Sequence, residues 1–366
     1  MSGASAIHLR TLTEGGQSAE AIAAEVAGFI DAAERTLDLA LYDVRLPGPS
    51  GDRVAGALRA AAARGVALRL LYNVDTARRI PVPPPPQTRP ELLEALPFPT
   101  RAVPGIPDLM HHKYLVRDGE AVWGGSTNWS LDSWQREENV IATVRSAGVA
   151  AAYAANFDEL WERRRVERSG FVDPRPVDVG GVIVRVWFSP GNGKELSHRI
   201  ADAIDQARRR VRIASPVITV AAILGVLGEI ASDKRVDLAG VVDATQLQQV
   251  FRQWYANGNA SWKVPMLRRV MDAGAFTGKR STPYRPGSVH DFMHAKVTVA
   301  DDTVFVGSFN LSRSGERNAE NVLEITDAEL ADSMAAFVDQ IRTRYPDPVR
   351  PPRLGRLRAL APGRRR

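Results

Sequence analysis

Apolar positions recur along the chain in two alternating patterns. From Ser18 to Glu34 they return every three or four residues, the spacing of one helix face, and lead into an apolar run from Leu37 to Tyr42 that reads as a strand. The pair repeats at once, as a helix over Asp52 to Arg64 and a strand over Val66 to Tyr72. Later in the chain the plan returns: helix Glu195 to Arg209, strand Val211 to Ala214, helix Ala221 to Ile230, strand Val236 to Val242. Strands alternating with helices predict an α/β sheet with helices on its faces.

Each half then loses its periodicity. One irregular stretch runs from Thr76 to Met110 and includes Pro83-Pro84-Pro85-Pro86; the other runs from about Thr245 to Phe292 and carries Phe251, Trp254, Tyr255 and Trp262. A hairpin follows in each half. The first takes Lys113 to Val116, turns at Asp118-Gly119 and returns through Val122-Trp123; the second takes Lys296 to Val299, turns at Asp301-Asp302 and returns through Val304 to Val306. A strand (Val140 to Val144; Val322 to Ile325) and a closing helix (Gly148 to Arg164; Ala328 to Arg344) end each half. The segment Glu167 to Gly181 reads as a linker. The expected organisation is two similar α/β domains, 1–170 and 171–348, followed by a basic disordered tail, 349–366.

The hairpins carry the chemistry. His111-x-Lys113-x4-Asp118 returns 183 residues later as His294-x-Lys296-x4-Asp301. Gly125-Ser126-Thr127-Asn128 returns as Gly307-Ser308-Phe309-Asn310, and Glu138-Asn139 as Glu320-Asn321 at the same distance from the motif asparagine. The second hairpin is one residue shorter between its Asp and its Gly-Ser, which predicts a tighter turn. Alternation along a strand puts His111 and Lys113 on one face and His112 on the other. A neutral imidazole is a competent nucleophile, and a neighbouring lysine holds a phosphate oxygen. The asparagine amides add neutral donors, and the motif glycines predict close approach of backbone to ligand. A carboxylate at Nδ1 would fix the histidine tautomer, a role that suits Glu138 and Glu320, with Glu137 able to exchange with Glu138. Together the halves would place two histidines, two lysines and two asparagines around one phosphate. No Asp, Glu and His cluster has the spacing of a metal site, so neither metal nor other cofactor is expected. Gly191-Asn192-Gly193-Lys194 lacks the spacing of a phosphate loop and reads as a helix-initiating turn.

On these motifs the chain resembles the phospholipase D superfamily over about residues 5–345. The resemblance implies two α/β sandwich domains related by a pseudo-twofold axis, an active site at their junction and a covalent phosphohistidine. It makes His111 and His294 nucleophile and general acid/base. Lys113, Lys296, Asn128 and Asn310 would bind phosphate, Ser126 and Ser308 would support the site, and Asp118 and Asp301 would act as structural supports. Since both motifs lie in one chain, a monomer is expected to hold a full site.

Composition narrows the setting. There is no cysteine, and neither a signal peptide nor a long apolar span is read, which points to a cytoplasmic protein. Seven arginines and no acid lie between Arg350 and Arg366, so removing them from the net charge of +6 leaves residues 1–349 at −1. A near-neutral body disfavours a nucleic-acid channel, and a basic tail suits an anionic leaflet. The expected substrate is a glycerophospholipid met at a membrane surface, with DNA or RNA as the alternative.

Overall fold

The computed structural model describes residues 5–74, 93, 95–105, 108–257, 262–273, 275–283, 285 and 287–349. The proline run and the arginine tail lie outside the described residues.

The first half runs β1 (Ile7–Leu12), α1 (Ala19–Asp31), β2 (Thr36–Leu41), β3 (Val44–Arg45), α2 (Gly48–Ala63), β4 (Ala67–Val74), β5 (Thr100–Pro104), β6 (Lys113–Arg117), β7 (Ala121–Gly125), β8 (Trp129–Ser130), α3 (Leu131–Gln135), β9 (Asn139–Arg145) and α4 (Ala147–Arg163). The second runs β10 (Val177–Val179), β11 (Val182–Ser189), α5 (Gly193–Gln206), β12 (Arg210–Ser215), α6 (Ala221–Asp233), β13 (Asp237–Asp243) and α7 (Ala244–Asn257). It continues through α8 (Lys263–Asp272), β14 (Phe276–Lys279), β15 (Val297–Ala300), β16 (Thr303–Gly307), β17 (Glu320–Thr326) and α9 (Ala328–Arg344).

The main sheets correspond strand for strand. The first has the order β1-β9-β7-β6-β2-β4-β5; the second has β11-β17-β16-β15-β12-β13-β14, with β10 added outside β11. In each, the three strands at one end are parallel and the remaining pairs antiparallel. Parallel strands need a crossover, which is why α2 separates β2 from β4, α6 separates β12 from β13, and α7 and α8 separate β13 from β14. Helix ends obey local chemistry: Ser18 accepts from Ala21 N at the start of α1, and Asp327 from Leu330 N at the start of α9. One apolar core joins the halves. Tyr153, Phe157 and Leu160 of α4 and Met334, Phe337 and Ile341 of α9 pack with the inner faces of both sheets, including Val116, Val144, Val186 and Val297. Each outer face has its own core, beneath α1 and α2 or beneath α5, α6 and α8.

Three expectations change. The stretch Thr245 to Phe292 is not irregular throughout, because it contains α7, α8 and β14. Leu247 and Phe251 are four residues apart and buried together, the helical spacing that makes α7 amphipathic. In the first half, β5 falls within the stretch read as irregular and pairs parallel to β4. The linker holds β10, whose Val177, Asp178 and Val179 pair with β11. The shorter second turn is indeed tighter: two residues join β15 to β16, against three between β6 and β7.

Lys279, at the end of β14, reaches the other half. Its Nζ lies 2.7 Å from Glu138 Oε2 and 2.9 Å from Arg136 O, and both side chains of the ion pair are buried. Tyr345 donates to Glu138 Oε1 at 2.8 Å. Lys279→Met is expected to lose about 3–5 kcal/mol, because it leaves a buried carboxylate uncompensated. Urea unfolding checks this, and a loss under about 1 kcal/mol would contradict it.

Candidate active site

His111 lies two residues before the start of β6, and its backbone N–H donates to Ala319 O of the other half at 2.9 Å. His294 does the same in reverse, donating to Glu138 O at 3.1 Å. These bonds place both imidazoles at one junction. The Lys113 and Lys296 charges each act on both histidines. Each lysine Nζ curls back to the carbonyl of its own histidine, at 2.6 Å in both motifs, and both lysines are buried.

The histidines differ in what holds Nδ1. His111 Nδ1 lies 2.7 Å from Glu320 Oε2, and Asn318 Nδ2 donates to the other carboxylate oxygen at 3.2 Å. His294 Nδ1 lies 3.1 Å from Asn139 Oδ1 and 3.4 Å from Glu137 Oε2. The Asn139 Nδ2 faces acceptors, Ser133 O and Glu137 Oε2, so its oxygen is the atom turned to His294. An amide oxygen only accepts, so His294 carries its proton on Nδ1 and leaves Nε2 free.

Glu138 therefore does not take the expected place at an imidazole; its carboxylate turns away to Lys279 and Tyr345. The cause is a register offset. A Cβ on Gly125 would meet Val140 O at 2.1 Å, and one on Gly307 would meet Asn321 O at 2.1 Å. Val140 thus corresponds to Asn321, Asn139 to Glu320 and Glu138 to Ala319. Moving one residue along a strand reverses the side chain's face, so the matched Glu-Asn pairs are not structural equivalents. The same contacts correct the reading of the motif glycines, which admit the neighbouring strand's carbonyl.

The serines brace this register. Ser126 Oγ donates to Asn139 Oδ1 at 2.7 Å and accepts from Val140 N, while Ser308 Oγ accepts from Asn321 N at 3.0 Å. The Asn128 backbone N–H donates to Ser133 Oγ at 3.0 Å, and Asn128 Oδ1 is buried without a partner among the described residues. Asn310 sits at the corresponding place after Ser308. Asp118 and Asp301 lie at the far hairpin turns. Asp118 accepts from the amides of Glu34, Arg35 and Thr36, and Asp301 from those of Arg208, Arg209 and Arg210. His112 is buried on the opposite face, 3.1 Å from Asn321 Nδ2 and edge-on to Tyr114.

Sequence reasoning missed Tyr42. Its ring is 4.5 Å from the His111 ring in an edge contact and 4.6 Å from Lys113 Nζ, a cation–π distance. Motif spacing carries no signal for it, since it reaches the site from the end of β2. Ser133 was also missed: it donates to Glu137 Oε2 at 2.7 Å from α3, the short helix between motif and strand.

Burial dominates the electrostatics. It holds His111 and His294 well below the ordinary imidazole range, and the lysine charges push the same way. It raises Glu320 to about 8 against the opposing charge of Lys113. It likewise raises Glu137 to about 7 and lowers Lys296 to about 7, each charge partly restoring the other. Among the described residues, no group of three or more His, Asp or Glu could hold a metal ion. Both motif imidazoles are expected to be neutral at pH 7. Nitrogen-15 NMR of histidine-labelled protein should give midpoints below about 6.5 for both, and a midpoint at or above that value would contradict the burial argument.

Comparisons with known proteins bear on the family and the fold. The family model described as "Cardiolipin synthase, PLD-like domain" matches residues 26–161 and 200–342, one match in each half. The mitochondrial cardiolipin hydrolases of Xenopus laevis and Xenopus tropicalis are 38% and 36% identical over 53 residues, 14% of this chain. The chain spans a quarter of the length of these curated relatives. Phosphatidylserine synthase from Haemophilus influenzae shares the fold with a TM-score of 0.60 at 13% identity, covering 92% of this chain and 86% of that one. Polyphosphate kinase from Porphyromonas gingivalis does so with a TM-score of 0.55 at 12% identity, covering 91% and 50%. With a repeated motif in each half and the family model matching most of the sequence, the chain belongs to the phospholipase D-like family.

Proposed function

We propose that the protein is a metal-independent phospholipase D-like enzyme that cleaves glycerophospholipids through a phosphohistidine at His111. The carrying observation is the 2.7 Å contact between His111 Nδ1 and Glu320 Oε2, made between the halves. Glu320, raised to about 8 by burial, acts in its carboxylate form, which the Lys113 charge favours, and stabilises the positive charge that the ring acquires when Nε2 bonds to phosphorus. His294, backed most closely by an amide, suits proton transfer.

His111 Nε2 attacks phosphorus, the bond to the leaving alcohol breaks, and His294 supplies the proton to the departing oxygen. The bound phosphodiester's negative charge favours the protonated His294 that burial otherwise disfavours. Water or an alcohol then gives its proton to His294, attacks phosphorus and releases His111. Lys113, Lys296, Asn128 and Asn310 hold the non-bridging oxygens and stabilise their charge. Asp118 and Asp301 hold the hairpins through backbone amides and move no proton. Both histidines come from one chain, so a monomer suffices.

Lipid as substrate rests on the names of the matched family model and of the cardiolipin hydrolases, and on the near-neutral charge of residues 1–349. The enzyme would act as a cytoplasmic protein at the membrane surface, with the arginine tail assisting. A panel of phospholipids in detergent micelles, single- and double-stranded DNA, RNA and a chromogenic phosphodiester tests the reading. Cleavage of nucleic acid with no cleavage of phospholipid would replace it with a nuclease.

His111→Ala and His294→Ala should each lower kcat by about 10³ or more while retaining cooperative unfolding, since each removes one half of the acid–base and nucleophile pair. Near-normal turnover in either variant would rule out a shared site. Excess EDTA should leave the wild-type rate unchanged, and loss of activity restored by a divalent ion would overturn the metal-independent reading. The pH profile has a defined sign. Lys296, lowered to about 7 by burial, loses its phosphate-binding charge as pH rises, so kcat/KM should fall on the alkaline side. Lys296→Arg, whose charge persists, should move that fall upward by more than about one pH unit even at a lower plateau. An unmoved alkaline limb would assign it to another group.

A further inference from the structure

A groove of about 640 Å³ opens on the second half between α5, α6 and the loop after Asn310. Its floor is apolar, formed by Val220, Ala222 and Val226, and its rim carries Lys194, Lys263 and Arg313 against Glu229 and Glu316. That volume lies within the usual range of ligand sites. Lys194 and Arg313 are both exposed. Lys263 is held in place: its Nζ donates to Thr219 O at 2.9 Å and lies 5.8 Å from both the Trp254 and Trp262 rings. Trp262, beside the lining residue Lys263, is 50% exposed.

One loop links the groove to the proposed reaction site. Leu311, directly after Asn310, accepts from Thr219 N at 2.7 Å and from Val220 N, tying the loop to the groove floor. The loop's other end is Asn318, which bonds to Glu320, the carboxylate behind His111.

We propose that this groove docks an anionic phospholipid surface, with lipid phosphates at Lys194, Lys263 and Arg313 and apolar chain on the Val220–Val226 floor. The inference rests on the lipid reading above and adds where the surface sits. Apolar floor, cationic rim and a half-exposed indole fit a lipid–water boundary, where an amphipathic ring buries its body and keeps its polar edge wet. A nucleic-acid strand would use the cations and leave the apolar floor unmatched.

Sedimentation with phosphatidylglycerol–phosphatidylcholine vesicles, and with phosphatidylcholine alone, tests this on the full chain. Lys194→Glu combined with Arg313→Glu should weaken binding to the mixed vesicles at least about tenfold, since each cation near such a surface contributes measurably. Trp262→Ala should weaken it too. Hydrolysis of a soluble chromogenic phosphodiester should stay within about twofold of wild type in both, with unchanged thermal unfolding to show that the fold is intact. Wild-type-like vesicle binding by both variants overturns the proposal. So does a wild-type protein that ignores vesicles but binds single-stranded RNA through Arg313. The lipid reading is judged separately, by cleavage of phospholipid in detergent micelles. Micellar cleavage with unaffected vesicle binding removes the docking site alone, and absence of micellar cleavage removes the reading beneath it.

Discussion

Two backbone hydrogen bonds hold the candidate site together, His111 N to Ala319 O and His294 N to Glu138 O. Each takes the first residue of a motif and fixes it to the strand entry of the opposite half. Neither half could position its own histidine alone, because the acceptor belongs to the other domain. The shared core around α4 and α9 supplies the rigidity, and the buried Lys279–Glu138 pair pins the same corner. A buried ion pair of this kind is costly to break even where its formation adds little net stability.

The near-symmetry of the chain ends at the imidazoles. One histidine faces a carboxylate and the other faces an amide oxygen, with a second carboxylate slightly farther away. Duplication with a one-residue offset produces this difference without any change in the sheets. Two equivalent histidines would have no built-in division between attack and proton transfer. Unequal partners provide one, and the Tyr42 ring beside His111 and Lys113 deepens the difference.

Removing the site from water explains its unusual protonation. Two lysines, two histidines and two carboxylates are buried within the same small region. Burial penalises every charged form, so the acids rise and the bases fall. A substrate phosphate entering such a site meets donors that are already oriented and poorly solvated, the condition under which electrostatic stabilisation is strongest.

The sequence by itself determined the repeated α/β plan, the two hairpins, and the paired His-x-Lys and Gly-Ser-x-Asn motifs. These are local: apolar periodicity dictates the elements, and alternation along a strand separates His111 and Lys113 from His112. It also made the shorter second turn legible, since a deletion between two paired strands can only be absorbed where they reverse. The helices α7 and α8 were hidden because loop-like composition masked a helical spacing. Only the tertiary structure decided which residue stands behind each histidine. Equal spacing made Glu138 look like the counterpart of Glu320, but strand register, set by the close approach of Gly125 to Val140 O and Gly307 to Asn321 O, moved the correspondence by one. Tyr42 and Glu137 likewise meet their partners through sheet order and domain docking, which depend on contacts between distant segments and leave no mark in local spacing.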